Sequence, residues 1–186
     1  MLRAFKATSV SGRYTGIGLT DDPSNSLGQT AMYAPMVFNF FRPGYVPTSK
    51  AITDAKLVVP ELQIVTDVSV AGYQNYIRAW TQLNDTRDIK HDYTAELALA
   101  ETPTALVERM NLLLFAGTMP PGLRAQIESA VASRVIPGPA YPPGTAASAI
   151  PMTTPTNQAA MDAAKLDRVY LAVFLSMASP DYLIQK

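Results

Sequence analysis

The side chains best suited to chemistry lie in one polar stretch, residues 84–92, which reads NDTRDIKHD and contains the single histidine of the chain. The candidate metal ligands in it are Asp85, Asp88, His91 and Asp92. Carboxylate and imidazole groups bind divalent ions, but this spacing matches neither the calcium-loop pattern nor the helical histidine pair of zinc proteases. A solvated loop between two helices, with Asp92 as the N-cap of the second, explains the same residues. We therefore predict no metal site and treat these four residues as weak candidates.

A second stretch, residues 38–47, reads FNFFRPGYVP and places four aromatic rings around Arg42. Aromatic faces and a planar guanidinium group can bind a sugar ring or a base by stacking. A buried corner is the alternative, because Phe38 and Phe41 are three residues apart and would pack inward while Pro43-Gly44 turns the chain. We predict the corner, with Arg42 paired to a carboxylate or capping helix carbonyls.

Five residues are the candidate ligand-binding positions, taken from this stretch and from the polar face of a long helix. They are Asn39, Arg42, Tyr45, Asn75 and Arg78. Asn75 and Arg78 share one helix face, but solvation of that face explains them equally well. Carbohydrate binding through Phe41 and Tyr45 is a further hypothesis, and it requires both rings to be exposed and coplanar.

Other catalytic patterns are weak or missing in the sequence. Gly12, Gly16 and Gly18 match neither the dinucleotide-binding nor the phosphate-loop spacing and favour a flexible loop. There is no G-x-S-x-G elbow, and the absence of cysteine excludes disulfides, thiolate metal sites and a thiol nucleophile. No cofactor is predicted. Carboxylates that are distant in sequence, such as Asp67 and Glu108, could still meet in the fold as a catalytic pair.

The composition is that of an ordinary globular protein. Hydrophobic residues make up 48% of the chain, and 15 basic residues balance 15 acidic ones, so neither nucleic acid nor an anionic membrane is predicted as a partner. No apolar run approaches the length of a membrane span, and the first residues lack the apolar core of a signal peptide. Fifteen prolines predict short helices with frequent interruptions.

Predicted helices separated by loops must position the candidate residues. Apolar residues at spacings of three and four, from Val70 to Trp80, predict a long helix capped by Thr66. Thr102-Pro103 and Pro120-Pro121 begin two more helices, and residues 158–178 predict a last long one. Almost no segment alternates with period two. We therefore predict an all-α fold, an irregular bundle of short helices with long Pro/Gly-rich loops and two longer helices.

Two segments differ from the rest of the chain. Residues 136–157 contain six prolines and predict an extended, flexible connector within a single helical domain spanning residues 1–186. Residues 1–7 resemble the tail of a helix that nothing caps at its start. This start leads us to expect the C-terminal portion of a longer domain, with unmet hydrophobic surface near Ala4 and Phe5.

Five blocks, in order along the chain, carry a family resemblance. They are LRAFKAT (2–8), LGQTAMYAPMVFNFFRPGYVP (27–47), LVVPELQIVTDVSVAGYQNYI (57–77), ALVERMNLLLFAG (105–117) and LAVFLSMASPDYLIQ (171–185). Together they resemble the C-terminal part of a bacterial family known only as domain of unknown function 1800. The resemblance implies a longer parent protein, so its N-terminal helical region or another protein chain is the expected partner. Some relatives are exported, which leaves the compartment open.

The resemblance supplies no catalytic residues, because the activity of the family is not established. We expect a helical structural or interaction module that is non-catalytic by itself. The alternative hypothesis is part of a hydrolase-like enzyme acting on a polymer or cell-envelope substrate. It would require a cleft that gathers His91 or several carboxylates with perturbed pKa values.

Overall fold

The computed structural model of the chain describes residues 2–15, 18–82, 88–143 and 155–183. In this part of the chain there are seven α-helices and one small two-stranded sheet, so the all-α prediction is confirmed in its essentials. The chain divides into two compact units. The helical unit comprises Met1–Thr8 and Lys90–Lys186, and the loop-rich unit comprises Ser9–Ile89. The prediction of a single domain stays a prediction.

Along the chain, each boundary between the two units falls inside a short strand. Strand β1 is Thr8–Ser9 and strand β2 is Ile89–Lys90, and the two pair with each other. None of the helices in the described ranges is both long and apolar enough to cross a bilayer.

The helical unit is built on three helices that pack pairwise. Its elements are α3 (Thr94–Leu97), α4 (Pro103–Phe115), α5 (Pro121–Ala132), α6 (Gln158–Ala178) and α7 (Pro180–Leu183). Proline stands at the first position of α4 and α5, where the missing N–H would have no helical partner. The three helices predicted at Thr102-Pro103, at Pro120-Pro121 and over residues 158–178 are therefore confirmed.

Apolar residues at helical spacing form the core of this unit. The fully buried ones on α4, α5 and α6 are Leu106, Val107, Met110, Ile127, Val131, Val169, Ala172 and Val173. Spacings of three and four place each group on one side of its helix, where burial stabilises each side chain by about 1.5–3 kcal/mol.

The first residues form a turn with the hydrogen bonds of a helix C-terminus. Lys6 N–H donates to the Arg3 carbonyl (3.3 Å) and Ala7 N–H to the Leu2 carbonyl (2.9 Å), while Lys6 has a left-handed φ of 46°. The expectation of unmet hydrophobic surface near Phe5 is wrong, because that ring is 1% exposed. It is covered by aromatic neighbours within the same unit.

A buried arginine on α6 contacts the chain just after two other helices. The Arg168 guanidinium donates through Nε to the Arg134 carbonyl (2.7 Å) and through Nη1 to the carbonyls of Ala100 (3.0 Å) and Glu101 (3.4 Å). These carbonyls follow α5 and α3, where the last turn of a helix leaves acceptors without helical donors. One side chain therefore pairs three carbonyl groups, including that of the fully buried Ala100, which would be costly to leave without a donor.

The connector predicted over residues 136–157 is described only at its two ends, since residues 144–154 lie outside the described ranges. The Asn157 side chain donates to the Gly138 carbonyl and accepts from the Ala140 N–H, both at 2.8 Å. Thr156 N–H also donates to the Ala140 carbonyl at 2.8 Å. These hydrogen bonds join the two described ends of the segment to each other.

The loop-rich unit contains α1 (Lys50–Asp54), a 3₁₀ helix (Pro60–Ile64) and α2 (Asp67–Thr81). Thr66 caps α2 as predicted. Its hydroxyl accepts from Ser69 N–H (3.1 Å), and the Ser69 hydroxyl accepts from Thr66 N–H (2.8 Å), which completes a capping box. Only the C-terminal half of the α2 apolar stripe is buried, at Ile77 and Trp80.

A glycine on α2 allows a loop to pack directly on the helix backbone. At Gly72, an added Cβ would overlap the Pro23 carbonyl oxygen and lie 2.7 Å from the carbonyl carbon of Ser24. The loop itself is held by Asp22, whose carboxylate accepts from the N–H and hydroxyl of Ser24 (2.8 and 2.7 Å). Any side chain larger than hydrogen at position 72 must displace this loop.

We expect Arg168→Lys to lower the free energy of unfolding by about 2–4 kcal/mol, because one ammonium group cannot reach three carbonyl oxygens. Urea unfolding followed by far-UV circular dichroism measures this change. Arg124→Lys is the matched control, since the Arg124–Glu108 salt bridge is about 40% exposed. It should lose less than about 1 kcal/mol. Equal losses in the two variants would contradict a special role for Arg168.

Gly72→Ala is expected to destabilise the loop-rich unit by about 1–3 kcal/mol, reversing the usual gain of up to about 1 kcal/mol for this change in a helix. Trp80, the only tryptophan, lies on the same helix and reports unfolding by fluorescence. Gly122→Ala in α5 is the control, because nothing lies within 4 Å of its added Cβ. A stabilised Gly72→Ala variant would show that the loop does not pack there.

Candidate functional site

Three predicted ligand-binding residues lie in consecutive turns of the loop-rich unit. Asn39 N–H donates to the Met36 carbonyl (2.9 Å), and Asn39 has a φ of 61°, which asparagine adopts more easily than most residues. Tyr45 N–H donates to the Arg42 carbonyl (3.1 Å) in the turn that follows. The position of Asn39 is thus explained by the turn that it makes.

The other two predicted residues, Asn75 and Arg78, are exposed on α2. Within the described ranges, no hydrogen bond or salt bridge joins either of them to Asn39, Arg42 or Tyr45. The structure therefore shows no contact that assembles the five residues into one site.

The aromatic stretch is not the buried corner that the sequence predicts. Phe38 is 58% exposed, whereas Phe41 and Tyr45 are half-buried. The prediction that Phe38 packs inward is wrong because residues 36–41 form successive tight turns, in which a spacing of three does not define one face. Arg42 forms no ion pair within the described residues; its backbone N–H donates to Gln63 Oε1 (2.6 Å) instead.

Asp88 organises the Ser/Gly-rich loop at the start of the loop-rich unit. Its carboxylate accepts from the N–H groups of Ser11 (2.7 Å) and Thr15 (2.8 Å) and from the Ser9 hydroxyl (2.8 Å). The hydrogen bond from the Ser11 N–H contributes most to holding the pKa of Asp88 well below its usual range. The loop amides thus bind an anion, and that anion is the protein's own carboxylate.

The remaining metal candidates have structural contacts of their own or are not described. Asp92 accepts a hydrogen bond from the N–H of Thr94 at the start of α3 (3.0 Å). The pKa of Asp92 is lowered first by its hydrogen bond with the Thr94 side chain and then by this N–H. The His91 ring lies 5.5 Å from that of Tyr93. Asp85 lies outside the described ranges. Among the residues that the structure describes, no group of three or more His, Asp or Glu side chains could hold a metal ion.

Two charged contacts in the helical unit were not foreseen from the sequence. Glu96 is 2% exposed, and its Oε1 lies 3.0 Å from Arg109 Nε, so this pair links α3 to α4. Lys165 on α6 bonds Glu101 (2.6 Å) and thereby lowers the pKa of that exposed carboxyl. Burial raises the pKa of the neighbouring Tyr93 hydroxyl well above its usual range. The two ion pairs thus connect α3, and the residues that follow it, to α4 and α6.

The loop-rich unit exposes an unusual number of large apolar side chains. We call the following ten residues the apolar set: Met32, Tyr33, Val37, Phe38, Val46, Leu57, Val58, Val65, Val68 and Val70. Their exposure ranges from 43% to 102%, and Met32 and Val37 are almost wholly in water. Single exposed apolar residues are ordinary, but a concentration within 39 residues (32–70) is not.

Hydrogen bonds join some of the segments that carry the apolar set. Val59 N–H donates to the Tyr45 carbonyl (3.0 Å), and the Arg42–Gln63 bond lies at the other end of the same two segments. The Ser69 hydroxyl donates to the Ile64 carbonyl (2.6 Å), which holds the start of α2 against the 3₁₀ helix. The exposed residues at 46, 57–58, 65 and 68 therefore belong to one folded region.

The sequence carries one signal for this surface, a long stretch without charge. Residues 23–41 include no charged side chain at all, although they contain two exposed aromatic rings. A long uncharged stretch in a loop is either covered by the fold or exposed for a partner. Only the structure distinguishes the two.

Asp88→Asn should weaken the loop, because an amide oxygen replaces only part of the carboxylate's capacity to accept three hydrogen bonds. We expect faster hydrogen exchange at the amides of Ser11 and Thr15, measured by NMR. Asp92→Asn, which affects contacts with Thr94 and Lys6 and none with the loop amides, should leave both rates unchanged. Unchanged rates in Asp88→Asn would contradict the assignment.

The same carboxylate predicts a pH dependence with a defined sign. Because its folded-state pKa is lowered, Asp88 stabilises the loop fully above the unfolded pKa of about 3.9. That stabilisation is lost as the pH falls toward the folded-state pKa. The amide shifts of Ser11 and Thr15 should therefore titrate below about pH 3.9; an inflection above that value would contradict the hydrogen-bonded carboxylate.

Comparison with known proteins gives a family and no function. No match was found among curated proteins or among solved structures. A family model described as protein of unknown function (DUF1800) matches residues 3–184, nearly the whole chain. This agrees with the five blocks quoted from the sequence. The chain therefore belongs to the DUF1800 family, whose function is unknown.

Proposed function

We propose that the chain is a helical interaction module that binds a polypeptide through the apolar set and performs no catalysis by itself. The observation that carries the proposal is the exposure of the apolar set, above all Met32, Val37 and Phe38. Removing apolar surface from water is worth roughly 25 cal/mol per Å², so a partner that covers these side chains gains a substantial driving force.

A protein surface suits the apolar set better than a lipid bilayer does. The exposed side chains are mainly valines, spread over the loops within residues 32–65 and the first turn of α2. Membrane-binding surfaces instead favour Trp, Phe and Leu with many basic neighbours. Residues 30–70 carry three basic and three acidic side chains. Because anionic headgroups attract only the basic ones, this balance gives no net attraction to a membrane.

The alternative, part of a hydrolase, has less support. A catalytic carboxylate needs access to substrate, but Glu96 is buried against Arg109 and Asp88 is bonded to loop amides and a hydroxyl. His91 packs among aromatic rings of the helical unit. Each of these groups has a structural explanation, which favours binding over catalysis.

We expect the dilute chain to enhance the fluorescence of anilinonaphthalene sulfonate, a dye that reports exposed apolar surface. Val37→Asp should reduce this enhancement severalfold, since it places a charge within the apolar set. It should leave circular dichroism unchanged, because Val37 is 98% exposed and supports no core.

Val135→Asp is the matched control for the dye experiment. Val135 is 79% exposed but lies in the helical unit, outside the apolar set. The control should retain the dye signal of the unmodified chain. Absence of enhancement in the unmodified chain, or equal loss in both variants, would refute the proposed function.

A further inference from the structure

We infer that Met32 is a site of reversible oxidation, at which hydrogen peroxide adds one oxygen atom to the thioether sulfur while the chain stays folded. The product is methionine sulfoxide, whose side chain is polar where that of methionine is apolar, and sulfoxide reductases reverse the change. Two properties of Met32 support this assignment. Its sulfur is accessible, and no part of the core is built on its side chain.

Met32 is the most exposed methionine in the described ranges. Its exposed fraction is 102%, so the side chain is wholly in water. Met36 and Met161 are partly buried. Three others are at most 5% exposed: Met110, Met119 and Met177. Because an oxidant must reach the sulfur, Met32 should react before the other five.

The chain holds no cysteine, which leaves methionine as its only sulfur-containing residue type. In proteins with a reactive thiolate, peroxide oxidises that group and the oxidation can pass to a disulfide. Neither route exists in this chain. Peroxide therefore acts on the thioethers, and accessibility decides among them.

Neither the backbone nor the packing explains a methionine at position 32. Met32 has a left-handed φ of 62°, a backbone conformation that glycine and asparagine adopt more easily. Its side chain gains nothing from burial, because it is wholly exposed. A glycine or asparagine would fit this turn better, which favours a role for the thioether itself.

Hydrogen peroxide alone balances the oxidation. A lone pair of the Met32 sulfur attacks one peroxide oxygen, and the O–O bond breaks as the S–O bond forms. The departing hydroxide takes the proton left on the transferred oxygen and becomes water, so the sulfur loses two electrons and the peroxide gains them. In the reverse step a sulfoxide reductase takes two electrons and two protons from a dithiol, which becomes a disulfide, and the oxygen leaves as water.

Peptide mapping by tandem mass spectrometry, on folded chain sampled during treatment with dilute hydrogen peroxide, tests the selectivity. The fragments must distinguish Met32 from Met36. We expect oxygen to appear on Met32 at least about tenfold faster than on the buried Met110, Met119 and Met177. In urea, which exposes every side chain, these rates should become similar. Equal rates in the folded chain would overturn the inference.

Stability distinguishes a surface site from a structural methionine. The chain oxidised at Met32 should keep the urea midpoint of the unmodified chain, because the sulfoxide lies in water. Met32→Leu is the matched control, since after the same peroxide treatment it shows any effect of the other methionines. A midpoint that falls in the treated unmodified chain but not in treated Met32→Leu would overturn the inference, because Met32 would then support the fold.

Reversibility is tested on the same oxidised, folded chain. The two sulfoxide reductases, one for each epimer, should return Met32 to its original mass when dithiothreitol supplies the electrons. Reduction that occurs only after unfolding would overturn the reversible site. The outcome does not depend on the proposed function, because it requires an accessible Met32 and no partner. Failure of the dye experiment would leave this site standing, and failure of selective oxidation would leave the dye experiment on Val37 as the test of the proposed function.

Discussion

The contact between the Arg168 guanidinium and three backbone carbonyls is the constraint on which the helical unit depends. Helices interrupted by proline are short, and each ends with carbonyl groups that no helical N–H can reach. In this unit the ends of α3 and α5 meet α6 around one arginine, which donates to all three carbonyls. The apolar faces of α4, α5 and α6 supply most of the favourable energy of folding, but they do not by themselves set how the helix ends converge. The N–H donors of the guanidinium point in fixed directions, and these directions determine how the helix ends converge.

Local signals in the sequence predicted the helices well and the long-range contacts poorly. Thr66, Pro103 and Pro121 act through the first turn of the helix that they begin, so residue type and position suffice to place them. Arg168 was not predicted because its acceptors come from the backbone at positions 100, 101 and 134, and a carbonyl leaves no trace in residue identity. The same holds for Gly72, whose close contact with the loop at Pro23 depends on two distant segments.

The candidate site was misjudged for a related reason. Helical spacing suggested that Phe38 and Phe41 share a buried face, but the left-handed Asn39 between them breaks that spacing. Among the predicted metal ligands, the environment of Asp88 depends on loop amides more than 70 residues away. The exposed apolar set follows from tertiary structure, since burial of an aliphatic residue depends on what the rest of the chain places over it. The one sign of this surface in the sequence is the uncharged stretch of residues 23–41.

The hydrogen bonds around Asp88 also fix where the loop-rich unit begins and ends. Val10 N–H donates to the Asp88 carbonyl (2.8 Å), and the Asp88 carboxylate bonds the three residues Ser9, Ser11 and Thr15. In the linear order of the chain, this unit is therefore an insert with adjoining entry and exit points, flanked by the two pieces of the helical unit. Lengthening a loop inside such an insert adds little closure entropy, because that term grows only with the logarithm of loop length. The fold can thus accept changes of loop length in the region of the apolar set while the entry and exit points of the insert stay adjacent.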